Sequence, residues 1–237
     1  MTKAMISRCL RSRVNYSQKT KNMSNIFDKV FLRIIGSQRR KSLMEKRSAE
    51  EYVEWMNRGK PSPPPHIVKQ LIVKKAQKDT GFSTLVETGT YYGDMIYAQL
   101  DNFNRIYSIE LSERLYRKAK RRFKKNESVT LLHGDSSEVL REIVPTFKEP
   151  VLFWLDGHYS GGITAQGKLD TPIWEELTTI LQSGVRHMIL IDDARCFEEK
   201  RKDYPSIEEL KSLILSVYPQ SHIVVKDDVV RIKLIGE

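Results

Sequence analysis

Two features are scarce in this chain of 237 residues: cysteine and long hydrophobic runs. Only Cys9 and Cys196 are present, too few for a disulfide framework, and neither has the CxxC or Cys/His spacing of a zinc site. A reducing, cytoplasmic compartment is therefore expected. The longest apolar runs have about five residues, whereas a membrane-spanning helix needs about 20. We therefore expect no transmembrane segment.

The excess positive charge is confined to the first quarter of the chain. The formal net charge is +10 at pH 7, and residues 1–60 carry all of it, with fifteen Lys and Arg against five Asp and Glu. The remainder is balanced, which argues against nucleic acid as the partner of the main domain. Nucleic acid or an anionic membrane stays open as a partner for the basic arm, and the sequence is compatible with an oligomer.

The N-terminal arm precedes a proline-rich connector. Residues 1–14 contain Arg and Ser but no acid, which is the composition of an organellar targeting peptide, although a disordered tail or a start at Met23 fits equally. A capping box, Ser48 to Glu51, predicts a helix over about residues 48–58. The prolines of residues 61–65 then favour an extended connector. We place the domain boundary here, with an extension at 1–64 and a domain at 65–237.

Short apolar runs alternate with helical patterns along the predicted domain. Five runs predict buried parallel strands, at residues 84–87, 106–110, 129–132, 151–156 and 187–192. The intervening stretches have helical spacing, so the fold class is α/β, a doubly wound, mostly parallel sheet with helices on both faces. Two further runs, 222–225 and 229–234, flank Asp227-Asp228 and predict a C-terminal antiparallel hairpin, which makes seven strands.

Acidic residues close or follow the predicted parallel strands: Glu87, Glu110, Asp135, Asp156 and Asp192. Because parallel strands end at one edge of the sheet, where open α/β folds bind ligands, we expect these acids to line one site. Any one of them could instead cap the next helix. Carboxylates accept hydrogen bonds from ribose hydroxyls and amino groups, and they attract a cation.

The loop after the first strand, Glu87-Thr-Gly89-Thr-Tyr-Tyr-Gly93-Asp94, joins a strand to a helix through two glycines four residues apart. With Glu110, Gly134-Asp135-Ser136 and the Asp156 turn, it resembles the class I S-adenosylmethionine-dependent methyltransferases. The resemblance covers about residues 65–237 and implies a Rossmann-like fold. It also implies S-adenosylmethionine as cofactor.

The resemblance assigns seven residues to the cofactor: Glu87, Gly89, Gly93, Glu110, Asp135, Ser136 and Asp156. It implies that the loop of residues 87–93 lies against the methionine part of the cofactor. It further implies that Glu110 accepts hydrogen bonds from both ribose hydroxyls and that Asp135 faces the adenine amine.

Three aspartates after the fourth and fifth strands, Asp156, Asp192 and Asp193, form an oxygen-rich set suited to Mg²⁺ or a similar divalent ion. They are similar to the metal ligands of catechol and macrocin-type sugar O-methyltransferases, which implies a metal that binds the acceptor hydroxyl. Helix capping and cofactor contacts are the alternative roles. His158 and Asp156 are the candidate catalytic residues, with His158 as general base or, alternatively, as an ordinary loop histidine.

The expected function is methyl transfer from S-adenosylmethionine to a hydroxyl of a small molecule or glycoside, assisted by a divalent metal. Asp156-Gly-His158-Tyr159 lacks the two prolines that amino-methylating enzymes of this fold usually carry at this position. Three alternatives stay open. The chain could encode a metal-independent methyltransferase with another acceptor, a metal-dependent hydrolase, or a non-catalytic module that uses the basic arm on RNA or a membrane.

Overall fold

The computed structural model describes residues 46–157, 171–198 and 204–236. The chain divides into two compact units, Met1–Glu54 and Trp55–Glu237. A helix, α1, covers residues 46–57, close to the predicted span of 48–58. None of the described helices is long and apolar enough to cross a membrane. The domain boundary after residue 64 stays a prediction, and the candidate targeting segment lies outside the described residues.

The second unit alternates helices and strands. In chain order they are α2 (His66–Thr80), β1 (Thr84–Thr88), α3 (Asp94–Gln99), β2 (Arg105–Glu110), α4 (Glu113–Arg122), β3 (Val129–His133), α5 (Ser136–Ile143), β4 (Leu152–Leu155), α6 (Ile173–Leu181), β5 (Met188–Ile191), α7 (Arg195–Glu198), α8 (Ile207–Val217), β6 (His222–Lys226) and β7 (Val229–Lys233).

The strands form one seven-stranded sheet in the order β3-β2-β1-β4-β5-β7-β6. β1 to β5 are mutually parallel, whereas β7 runs antiparallel to both β5 and β6. The hairpin that joins β6 to β7 turns through Asp227 and Asp228, both with positive φ. This arrangement confirms the predicted mostly parallel sheet with a C-terminal antiparallel pair.

Both faces of the central strands β1 and β4 are buried. Val86 and Phe153 belong to a cluster with side chains from α5, α6 and α8. Their neighbours along the strands, Leu85 and Trp154, point to the opposite face because side chains alternate, and they too are almost fully buried. Helices therefore cover the sheet on both sides, and a ligand can approach the parallel strands only at their ends.

The loops after β1 and β4 meet at that end through Gly89. Its backbone has φ +83°, and its N–H donates to the carbonyl of Ile109 at 3.0 Å. A side chain on Gly89 would overlap the backbone carbonyl of Asp156. Gly93, also with positive φ, directly precedes α3, and a Cβ atom there would lie 2.5 Å from the ring of Phe123. Both glycines are therefore required by close approach as well as by backbone conformation.

We predict that Gly89→Ala destabilises the protein by about 3 kcal/mol or more, because the new methyl group collides with a neighbouring backbone at a left-handed position. Gly184→Ala is the matched control, since Gly184 also has positive φ but faces open space. It should cost only about 1 kcal/mol of backbone strain. Urea unfolding measures both, and equal losses in the two variants would contradict the close approach.

Candidate active site

Four of the predicted acids gather at the ends of four adjacent strands. The winding of the chain reverses between β1 and β4, which is where open α/β sheets bind ligands. Glu87 lies near the end of β1 and Glu110 closes β2, while Asp156 and Asp192 directly follow β4 and β5. Asp135 follows the outer strand β3. The ends of the parallel strands thus carry the row of acids expected from the sequence. We call this row the acidic rim; its members are Glu87, Glu110, Asp135, Asp156 and Asp192.

Glu87 is a buried carboxyl at the centre of this rim. The hydroxyl of Ser108, on the neighbouring strand, donates to its Oε2 at 2.5 Å, and the hydroxyls of Ser108 and Thr90 lie 2.6 Å apart. Burial raises the pKa of Glu87 to about 8, and the negative charge of Glu110 adds to the rise. At neutral pH the side chain therefore carries a proton, which a cationic ligand nearby would help to release.

Glu110 holds the loop after β1 through both of its oxygens. Its Oε2 accepts a hydrogen bond from the backbone N–H of Tyr91, and its Oε1 accepts one from Ser112, each at 2.8 Å. Burial raises its pKa, and these two bonds act in the opposite direction. A carboxylate offers about four acceptor positions, so each oxygen keeps the capacity for one further donor.

Asp135, which is half-buried, caps a helix with one carboxylate oxygen and leaves the other without a described donor. It precedes α5, and its Oδ1 accepts from the backbone N–H of Ser137 at 2.9 Å and from the hydroxyl of Ser137 at 2.7 Å. Its Oδ2 accepts no hydrogen bond from the described part of the chain. The capping role is therefore real, and it leaves one oxygen for a ligand beside the buried Ser136.

Glu176, on α6, is a buried acid that the sequence did not single out. Burial raises its pKa to about 7, and the hydroxyls of Ser136 and Thr88 oppose the rise. A Cβ atom on Gly157 would lie 3.1 Å from both Glu176 Oε1 and Thr88 Oγ1. A side chain at this position would therefore have to displace Glu176 or Thr88 slightly, and Gly157 lets the backbone after β4 lie close to this carboxyl.

Lys69, on α2, binds two of the three predicted metal ligands. Its Nζ lies 2.5 Å from Asp192 Oδ2 and 3.0 Å from Asp193 Oδ1, and its side chain is only 14 % exposed. Burial raises the pKa values of Asp156 and Asp192, whereas the charge of Lys69 lowers them. The surrounding carboxylates in turn raise the pKa of Lys69, so it is a permanent cation.

Arg195 is a second cation of this cluster. Its Nη1 lies 2.9 Å from Asp193 Oδ1 and also pairs with Asp228, whose Oδ1 accepts the backbone N–H of Arg195 at 2.9 Å. Asp228 belongs to the turn between β6 and β7, so the C-terminal hairpin reaches the acidic rim. Asp193 adopts a left-handed backbone with φ +53°, which these ion pairs help to hold.

The three aspartates as arranged fit organic cations better than a divalent ion. Asp192 Oδ1 accepts the backbone N–H of Asp193 at 2.8 Å, and the Lys69 ammonium contacts its other oxygen. Among the described residues, no group of three or more His, Cys, Asp or Glu is placed to hold a metal. Mg²⁺ therefore stays a prediction from the sequence resemblance, and the described cluster supplies no step that depends on it.

Lys69 was not among the residues predicted from the sequence, although its position in the sequence indicates a buried lysine. Lys69 lies three and four residues before Ile72 and Val73, which are buried on one face of α2. A lysine on the apolar face of a helix that packs against a sheet needs a buried anionic partner. By contrast, the predicted base His158 and the loop of residues 159–170 lie outside the described residues.

Comparison with known proteins gives no match to a family model and none to a curated protein. Solved structures do match in shape. PaMTH1, a methyltransferase of Podospora anserina bound to S-adenosylhomocysteine, is 17 % identical with a TM-score of 0.52, over 79 % of this chain and 87 % of its own.

Two bacterial O-methyltransferases match at a TM-score of 0.54 and 15 % identity. TomG of Streptomyces achromogenes, involved in tomaymycin synthesis and solved with S-adenosylmethionine, aligns over 81 % of this chain and 89 % of its own. The Bacillus cereus enzyme, solved with S-adenosylhomocysteine, aligns over 79 % and 90 %. Together with the strand order and the acidic rim, these likenesses show that the chain has the fold of the S-adenosylmethionine-dependent methyltransferases.

Proposed function

We propose that this protein transfers a methyl group from S-adenosylmethionine to a hydroxyl of a small molecule or glycoside. The observation that carries the proposal is the geometry of Glu110. A buried carboxylate at the end of β2, held by two backbone N–H groups, presents its remaining acceptor positions beside the glycine loop. That is the arrangement which a ribose with two adjacent hydroxyls requires.

The other acids of the rim suit the remaining parts of the cofactor. Asp135 Oδ2 can accept a hydrogen bond from the adenine amine, next to the first turn of α5. Glu87 lies on the side of the glycine loop that would face the methionine part, whose amino group and sulfonium are both positive. Their approach favours ionisation of Glu87, so a proton leaves this carboxyl as the cofactor binds.

The acceptor would bind beyond the ends of β4 and β5. These strands lie on the other side of the point between β1 and β4 where the winding of the chain reverses. There Asp156 and Asp192 end neighbouring strands, with Lys69 beside them. In the reaction the acceptor oxygen attacks the methyl carbon as the bond from carbon to sulfur breaks, which yields an ether and S-adenosylhomocysteine. The hydroxyl proton passes to a base, the role for which the sequence suggests His158. The chain's contribution is alignment of oxygen, carbon and sulfur.

The likeness to O-methyltransferases supports the choice of oxygen as the methyl acceptor. TomG and the Bacillus cereus enzyme bear that description, and each aligns over most of its own length with this chain. The sequence after β4, Asp156-Gly-His158-Tyr159, also lacks the prolines of the motif typical of amino-methylating enzymes. Divalent-metal assistance is the part of the sequence-based hypothesis that the Lys69 cluster does not support.

Calorimetry with S-adenosylhomocysteine tests cofactor binding. We predict micromolar affinity for the wild-type protein and a loss of about 10–100-fold in Glu110→Gln, because charge-assisted hydrogen bonds to the ribose are worth about 1.5–3 kcal/mol. Glu113→Gln is the control, the same change at an exposed residue three positions further along the chain. Its affinity should equal that of the wild type.

Two results would contradict the proposed cofactor site. Wild-type protein that binds no S-adenosylhomocysteine at high micromolar concentration would exclude the methyltransferase activity. Wild-type affinity in a Glu110→Gln protein with unchanged thermal unfolding would exclude this position for the ribose.

The acceptor class is tested with methyl-labelled S-adenosylmethionine. We expect label in an ether on a hydroxyl acceptor from a panel of catechols and simple glycosides, and none in RNA offered at the same concentration. Mass spectrometry of the products locates the methyl group. Label on a base nitrogen of the RNA would contradict the assignment of oxygen as the acceptor.

A further inference from the structure

The strongest feature outside the cofactor half of the site is the buried ammonium of Lys69. It reaches from α2 to the ends of two strands, and it contacts one oxygen of Asp192 and one of Asp193 within 3.0 Å. The Asp192 side chain is fully buried and that of Asp193 is 10 % exposed. An ion pair this enclosed is specific, because either partner alone would be a buried, uncompensated charge.

The position of Lys69 is the one that a hard cation would take. Asp156 follows β4, and Asp192 and Asp193 follow the neighbouring strand β5. The carboxylates of all three attract the positive charge of Lys69. A divalent ion bound by the same oxygens would have to lie about 2.0–2.6 Å from each of them. The ammonium already lies 2.5 Å from Asp192 Oδ2, so the two cations exclude each other.

Oxygens of the pair also have partners other than Lys69. Asp193 Oδ1 contacts Arg195 as well as Lys69, and Asp192 Oδ1 accepts the backbone N–H of Asp193. These contacts come from α2, from α7 and from the backbone after β5. The cluster is thus built as a site for fixed organic cations.

We infer that Lys69 is the resident cation of this site and takes the place of a divalent metal, which makes the protein a metal-independent member of its fold. The inference rests on the proposed function, because that proposal places the methyl acceptor beside Lys69. An ammonium has three N–H donors, and two of them go to Asp192 and Asp193 within the described residues. The third has no partner among the residues that the structure describes and would bind the acceptor oxygen, so Lys69 is an acceptor-binding residue.

The test is a titration of the full chain with Mn²⁺, followed by electron paramagnetic resonance of the unbound ion. The wild-type protein should bind no Mn²⁺ at this site. Lys69→Met leaves three carboxylates with Arg195 as the one cation paired with them among the described residues, and it should bind one Mn²⁺ at least ten times more tightly than the wild type. Adding Asp192→Asn to Lys69→Met should abolish the gain.

Lys74→Met is the control, because Lys74 is an exposed lysine of the same helix. It should behave like the wild type. Lys69→Gln also removes the positive charge and should gain Mn²⁺ affinity in the same way, so it replaces Lys69→Met if that variant does not fold, and a folded Lys69→Gln protein with no gain would contradict the inference.

Either of two outcomes overturns the inference. One is a wild-type protein that binds one Mn²⁺ per chain and loses it in Asp192→Asn. The other is a folded Lys69→Met protein with no gain in Mn²⁺ affinity. Calorimetry with S-adenosylhomocysteine on the same samples separates this test from the proposed function, since absent cofactor binding leaves the Mn²⁺ result unaffected.

Discussion

Like charges crowded at the end of a parallel sheet are the constraint on which this structure depends. Parallel strands all end on one edge, so an acid at the end of each strand is brought close to the next. Carboxylates that are buried together raise one another's pKa, and an isolated buried charge is unstable. Each acid of the rim must therefore be protonated, hydrogen-bonded or paired with a cation.

The protein uses all three solutions, and they divide the rim into two halves. Burial raises the pKa of Glu87 to about 8, which favours its protonated form, and Glu110 and Asp135 are held by backbone N–H groups. These acids keep acceptor capacity for a cationic nucleoside. At β5, Asp192 is instead neutralised permanently by Lys69. A ligand can change the charge of the half that contains Glu87, whereas Lys69 already compensates the negative charge of the half at β5. This difference suits cofactor binding on the first side and acceptor binding on the second.

How much of this could be read from the sequence depends on whether a residue's role is local. The strands and the C-terminal hairpin follow from apolar runs, and the acids at their ends follow from the topology that those runs predict. The capping role of Asp135 is also local. The pairing of Lys69 with Asp192 is not local, because the two residues lie 123 positions apart in the chain and meet only in the folded protein. The lysine on the buried face of α2 indicated an anionic partner but not which residue it is. The raised pKa of Glu87 likewise depends on burial, which exists only in the folded protein.

The most direct measurement is a crystal structure of the protein grown with S-adenosylhomocysteine and MnCl₂, with anomalous scattering recorded at the manganese edge. The account predicts the ribose hydroxyls on Glu110, the Lys69 ammonium between Asp192 and Asp193, and no anomalous peak at that cluster. An anomalous peak for manganese between Asp156 and Asp192, with Lys69 displaced, would contradict this account. A ribose bound away from Glu110 would also contradict it.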